Sequence, residues 1–156
     1  MSRSRLVAAL VAAPLLVAPP ASAHDMDPKA TGARKDCALG QCRVSVTHYT
    51  AADAVDCHRG PDGGITACFV THRCQIQVVG LLMTGTLDCS GVGVTSCTWG
   101  SGMNYCEASL SGRVAVANGW CVPFDATGSV TDVGGGAQAS PETMYVCVDR
   151  YGPYRL

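Results

Sequence analysis

Polar and apolar residues alternate with a period of two in three stretches: Cys42-Arg43-Val44-Ser45-Val46-Thr47, Cys74-Gln75-Ile76-Gln77-Val78 and Cys106-Glu107-Ala108-Ser109-Leu110-Ser111. In an extended chain every second side chain points to the same side, so each stretch predicts a half-buried β-strand. In all three the cysteine shares the parity of the apolar residues. Its sulfur is therefore expected on the buried face. After residue 23 no segment keeps apolar residues at helical spacing for three turns, and residues 51–56 suffice for a single helical turn.

Turn signals separate the alternating stretches, among them Arg59-Gly60-Pro61-Asp62-Gly63-Gly64, Asp88-Cys89-Ser90-Gly91 and Gly134-Gly135-Gly136. Asn118-Gly119, flanked by residues 113–117 and 120–124, predicts a β-hairpin because both residues tolerate the positive φ of a type I′ turn. Short strands divided by glycine-rich turns predict an all-β fold, a small disulfide-rich β-sandwich or barrel. Cys42, Cys74 and Cys106 lie 32 residues apart, and each is followed 15 residues later by another cysteine: Cys57, Cys89 and Cys121. The spacing admits a threefold 32-residue internal repeat, which would favour the disulfides Cys42–Cys57, Cys74–Cys89 and Cys106–Cys121.

The start of the chain has a different character. Arg3 and Arg5 precede an apolar run over 6–17 and the small-residue site Ala21-Ser22-Ala23, the pattern of an export signal peptide over residues 1–23. Residues 24–36, HDMDPKATGARKD, hold six charged side chains and one sizeable apolar residue, Met26. That composition predicts a flexible charged N-terminal extension, leaving 37–156 as one disulfide-stabilised β domain. Lys29, Arg34 and Lys35 form a basic cluster in the extension and are candidate partner-binding residues, suited to an acidic groove on another protein.

Export changes how the cysteines are read. Cys37, Cys42, Cys57, Cys68, Cys74, Cys89, Cys97, Cys106, Cys121 and Cys147 are an even set of ten, and in an oxidising compartment they predict up to five disulfides. The chain is expected to be secreted and extracellular. A formal charge of −1 on 156 residues, made more negative by loss of the two arginines with residues 1–23, speaks against nucleic-acid binding. The apolar run of 6–17 is shorter than a bilayer requires, so no membrane insertion is expected.

Candidate chemistry is sparse. Cys57-His58, Cys68, His72 and Cys74 are a possible mixed zinc set, but their cysteines are 11 and 6 residues apart instead of in the close pairs of zinc modules, and disulfides are the simpler reading. No serine lies in a G-x-S-x-G elbow, no H-E-x-x-H occurs, and the glutamates are only Glu107 and Glu142. The chain therefore reads as noncatalytic and without a cofactor. Among the large aromatic residues, Trp120 beside Cys121 is expected in the core, while Tyr151 and Tyr154, in the tail after the last cysteine, are candidate partner-binding residues.

A chain rich in Ala, Val and Arg with only two lysines has the composition of a high-GC bacterium such as an actinomycete. The plan of export signal, short charged mature N-terminus and one cysteine-laced β domain lacking catalytic groups resembles the small linking subunit of the secreted umbrella-shaped toxin particles of Streptomyces. The resemblance is architectural and spans the mature chain. It implies an adaptor that joins a lectin-like spoke protein to a large repeat-bearing subunit, with residues 24–36 docking into a partner. From the residues alone the expectation is a noncatalytic module that binds other secreted proteins. Two alternatives stand beside it. A secreted protease or hydrolase inhibitor would use the loop 58–66 between Cys57 and Cys68, and a carbohydrate-binding module would use exposed rings such as Trp99 and Tyr105.

Overall fold

A computed structural model describes residues 29–37, 40–81, 83–98, 104–132, 135–139 and 143–156. The strands among these residues are, in chain order, β1 (Lys29–Cys37), β2 (Gly40–Ala51), β3 (Cys57–Arg59), β4 (Ile65–Val79), β5 (Thr84–Cys89) and β6 (Gly93–Thr98). They continue with β7 (Tyr105–Ala117), β8 (Cys121–Phe124), β9 (Ala126–Asp132), β10 (Gly135–Ala139), β11 (Met144–Asp149) and β12 (Gly152–Arg155). A single 3-10 turn, Ala54–Asp56, lies inside the segment expected to make one helical turn. The fold is all-β, and the three alternating stretches lie on β2, β4 and β7, which are neighbours in one sheet.

Every pairing is antiparallel. The first sheet runs β1-β2-β4-β7, and β3 pairs with the start of β4 on the edge that β2 occupies farther along. The second sheet, β10-β9-β5-β6, lies over the first strand for strand: β10 meets β1, β9 meets β2, β5 meets β4 and β6 meets β7. The third sheet, β12-β11-β8, covers the remaining end of β4 and β7. All three sheets are open, so the architecture is a disulfide-rich sandwich and not a barrel.

The alternation of β4 explains why two sheets pack on the same face of one strand. Cys68, Val70, His72, Cys74, Ile76 and Val78 are all buried, while Arg73, Gln75 and Gln77 between them are exposed. Cys74, Ile76 and Val78 join Val44, Val46 and Leu87 in a first core between the first and second sheets. Cys68 and Val70 join Ile65, Phe124, Met144, Val146 and Val148 in a second core beneath the third sheet. Where β9 crosses β2 the layers approach so closely that a Cβ on Gly128 would lie 2.1 Å from Val46 Cγ2. Only glycine fits that crossing.

Several expectations are corrected. Residues 29–36 of the expected flexible extension form the edge strand β1, paired residue for residue with β2 from Lys29↔His48 to Cys37↔Gly40, while 1–28 lie outside the described residues. Composition misleads there because an edge strand is held by the backbone ladder of its neighbour, which places no demand on apolar side chains. Asn118-Gly119 does make a turn, with Gly119 at φ +82° and Trp120 N–H donating to Ala117 C=O, but no hairpin follows. Gly119 N–H donates to Val148 C=O, and β8 pairs with β11 instead of β7.

Of the three disulfides favoured by the repeat, Cys74–Cys89 forms. Cys57 bonds Cys68, Cys106 bonds Cys97, and Cys121 bonds Cys147, so the pairs Cys42–Cys57 and Cys106–Cys121 do not exist. Partner choice follows which strands the sheets bring together, which equal spacing along the chain does not encode. Cys42 is also disulfide-bonded, and no described cysteine is free. Trp120, expected in the core, is 67% exposed, because it ends a turn at the edge of the third sheet.

Candidate functional site

His72 occupies the boundary between the two cores on β4, with second-core residues on one side of it in sequence and first-core residues on the other. On the neighbouring strand β2, His48 lies opposite Cys74 and Thr50 opposite His72. His48, Thr50 and His72 are each 0% exposed and make up the buried polar side chains among the described residues. A polar seam therefore separates two apolar clusters. Its far wall is built where the chain crosses from the third sheet to the second: Ser90 N–H donates to Asp125 C=O at 3.0 Å and Asp125 N–H donates to Ser90 Oγ at 3.0 Å.

That crossing turns the Ser90 carbonyl toward His72 Nδ1, 3.0 Å away. A carbonyl oxygen can only accept, so His72 carries its proton on Nδ1 and presents the lone pair of Nε2 to the seam. His48 Nδ1 lies 3.1 Å from that Nε2 and donates to it. The edge of the Phe124 ring closes the second-core side, with its centroid 5.1 Å from that of His72. Burial holds the His72 imidazole below the ordinary histidine value, and the opposing pulls of the Ser90 hydrogen bond and the Asp125 charge do not overcome it. Burial therefore favours the neutral form of the His72 ring.

Sulfur completes the seam. Cys74 Sγ lies 3.4 Å from His72 Nε2 and Cys89 Sγ lies 3.5 Å from His72 Nδ1, and the two sulfurs form the disulfide that joins β4 to β5. The donor atoms of His72, Cys74 and Cys89 all fall within 4.8 Å of one another. The zinc candidates read from sequence are thus divided. His72 and Cys74 meet in the seam, Cys57 and Cys68 are bonded to each other, and His58 is exposed with its ring against Phe69. His48 and Cys89 were not among those candidates. A signal for His48 was present, since it continues the buried parity of Cys42, Val44 and Val46.

A second feature lies on the solvent face of the third sheet. Met144, Val146 and Val148 point from β11 into the second core, so Tyr145 and Cys147 take the opposite face, where Tyr145 is exposed and Cys147 is covered. Tyr145 faces Pro123, and Cys147 sits between Cys121 and Tyr154. The outer face therefore carries Tyr145 at 46% exposure and Tyr154 at 44%, braced by the Cys121–Cys147 disulfide. Tyr151, 70% exposed, stands at the tip of the β11–β12 turn, where Asp149 Oδ1 accepts from Tyr151 N–H at 2.7 Å and Gly152 N–H at 3.1 Å. The Arg150 guanidinium lies over the Tyr151 ring at 4.6 Å. The solvent face of the first sheet is different in kind, with Ser45, Thr47, Gln75 and Gln77 around a shallow groove.

The remaining candidates are scattered. Lys29, Arg34 and Lys35 lie on β1, at the edge of the first sheet and away from the tyrosines of the third. Trp99 lies outside the described residues, and Tyr105 begins β7 with its ring partly exposed. The loop 58–66 closes as a tight turn, with Gly63 N–H donating to Gly60 C=O and Arg59 Nη1 to Gly63 C=O. Among the described residues no helix is long and apolar enough to cross a membrane. Comparison with protein-family models, with curated proteins and with solved structures yields no match to this chain.

Proposed function

We propose that this protein is a secreted, noncatalytic protein-binding module, an adaptor subunit of an extracellular protein assembly, and that it engages its partner through the outer face of the third sheet. The observation that carries this reading is the pair Tyr145 and Tyr154, with Tyr151 at the adjoining turn, all solvent-facing on a sheet braced by the Cys121–Cys147 disulfide. Tyrosines held on a rigid sheet lose little side-chain freedom on binding and bring large amphipathic rings, which is why such residues dominate the energetic centres of interfaces. The resemblance to the linking subunit of umbrella toxin particles agrees with this reading.

The inhibitor alternative is less well supported. A substrate-like inhibitory loop lies extended along a protease cleft, whereas residues 60–63 are folded back on themselves by a backbone hydrogen bond. The test is to incubate the protein and its Tyr145→Ser/Tyr154→Ser variant with the secreted fraction of the producing cells and with insoluble polysaccharides. A stoichiometric complex with a secreted nonhydrolase protein, lost in the variant, supports the adaptor. Capture of a hydrolase through the 58–66 loop overturns it in favour of inhibition. Retention on polysaccharide with no protein partner overturns it in favour of carbohydrate binding.

A further inference from the structure

We propose that β7 is the docking edge for a second copy of this chain, the two β7 strands pairing antiparallel about a twofold axis at Leu110 so that the first sheets of two molecules become one. β7 is 13 residues long and pairs with β4 along its whole length without a break in register. Among the described residues nothing pairs with its other edge. Bare edges invite pairing with another chain, and the other edge strands here are short or defended. β1 carries Lys29, Arg34, Lys35 and Asp36, β8 and β12 are four residues long with a proline each, and β3 has three residues and a register shift. β6 and β10 hold six and five residues. β7 alone among them is long, with no proline, lysine or bulge.

Hydrogen bonds just beyond its two ends tell which backbone groups of β7 are spare. Gly80 N–H donates to Asn104 C=O and Asn118 N–H donates to Thr66 C=O, both continuing the β4–β7 register. Even-numbered residues of β7 therefore bond β4, and odd-numbered ones turn N–H and C=O to the open edge. Cover of the inner face is incomplete at the same place. Ala108, Leu110 and Val114 are half-buried, whereas the residues opposite them on β4, Ile76, Cys74 and Val70, are 0–2% exposed. A strand laid on this edge completes the ladder and covers Leu110 together.

Charge complementarity identifies the occupant as a second copy. Glu107 and Arg113 are the charged residues of β7, both on its solvent face and placed symmetrically about Leu110. In the antiparallel register centred on Leu110, Glu107 of each copy faces Arg113 of the other, Ser109 faces Ser111, and on the inner face Leu110 meets Leu110. Opposite charges on facing residues stabilise such a pair, and sliding the strands by two residues either way loses both contacts. The odd-numbered pairs exchange backbone hydrogen bonds, about twelve from Tyr105 to Ala115, and the two Leu110 side chains fall at a close, non-hydrogen-bonded position. Within one chain Arg113 holds Asp56 at 2.7 Å, with the side chains 54% and 39% exposed. A surface pair of that kind contributes little, so exchanging Asp56 for Glu107 of the second copy costs little.

Sedimentation equilibrium of the disulfide-bonded protein, from micromolar to submillimolar concentration, should show a monomer–dimer equilibrium. Ser109→Pro removes an N–H that faces the open edge and spares the ladder to β4, so it should leave the protein monomeric. Glu107→Arg sets like charges opposite each other twice and should weaken dimerisation about tenfold, and the double reversal Glu107→Arg/Arg113→Glu should restore it. Amide hydrogen exchange needs no variant to fold: the amides of Glu107, Ser109, Ser111 and Arg113 should gain protection as wild-type concentration rises. A wild type monomeric throughout, a proline variant that dimerises like wild type, or a double reversal that stays as weak as Glu107→Arg would overturn the proposal. Edge protection that appears only on adding another secreted protein overturns it in favour of a foreign strand. These variants leave Tyr145 and Tyr154 in place, so failure of self-pairing and failure of the adaptor reading are seen separately.

Discussion

Between the first and second sheets two disulfides among the described residues cross from layer to layer, Cys74–Cys89 joining β4 to β5 and Cys97–Cys106 joining β6 to β7. Beside and beneath the third sheet they run within a layer. Cys57–Cys68 and Cys121–Cys147 each join residues directly opposite one another on paired strands, with Cα atoms 3.9 Å apart. The in-layer bonds belong to β3 and β8, strands of three and four residues that offer few ladder hydrogen bonds to hold their register. The cross-layer bonds belong to a core of valines with Ile76, Leu87 and Met83 into which glycines such as Gly128 bring the layers close, whereas the second core is built around the ring of Phe124 with Ile65 and Met144. These four bonds thus serve layer packing in one half and strand register in the other.

The largest effect expected is from complete reduction. With each disulfide worth about 2–4 kcal/mol against a net stability of about 5–15 kcal/mol, the reduced protein should lose its cooperative thermal transition. Milder reduction should sharpen the contrast. Each in-layer bond has one buried sulfur, Cys68 or Cys147, and one that solvent reaches, Cys57 or Cys121, whereas Cys74 and Cys89 are both buried, so time-resolved alkylation should find the in-layer bonds opening before Cys74–Cys89. If Cys74–Cys89 opens earliest, the assignment of that bond to a closed core is wrong.

Replacing single bonds tests the halves separately. Cys74→Ala/Cys89→Ala should cost about 4 kcal/mol, of which closure of a 15-residue loop supplies about 3 and the cavity left beside the two histidines the rest. Cys57→Ala/Cys68→Ala should cost about 2–3 kcal/mol, since its loop is shorter and one sulfur is near solvent. Urea unfolding of both variants gives the order, and equal costs would erase the distinction. Gly128→Ala places a methyl group against Val46 and Ile76 and should cost about 1–3 kcal/mol through overpacking of the first core, read in the same experiment.

Acid should act at the boundary between the halves. The folded protein holds His72 below the ordinary histidine value, so the unfolded chain binds the proton more readily. Stability present at neutral pH is then lost as pH falls through about 6.5, and His72→Gln should flatten that loss. Melting temperatures between pH 8 and 5, taken in EDTA with the disulfides intact, measure it. A stability that rises toward pH 5 in wild type would contradict the burial of a neutral His72. The smallest effect is expected on the outer face of the third sheet, where Tyr145→Ser/Tyr154→Ser should change stability by about 0.5 kcal/mol or less while removing partner binding.

Much of this molecule was legible in its residue pattern. Alternation of polar and apolar residues in β2, β4 and β7 marked three strands and their buried faces, because side-chain direction in an extended chain depends only on parity. The same parity put His48 and His72 inside. The even set of cysteines implied disulfides, and turn residues marked where strands end. What parity cannot say is which strand lies beside which. The Asn118-Gly119 turn leads away from a hairpin, equal spacing finds Cys74–Cys89 but mispairs the other cysteines, and an unremarkable charged segment becomes β1, because strand order is settled by contacts between residues far apart in sequence. The seam depends on those contacts most of all: β2 and β4 bring the two histidines together, and the folding of β5 over β4 delivers Cys89 and the Ser90 carbonyl to them.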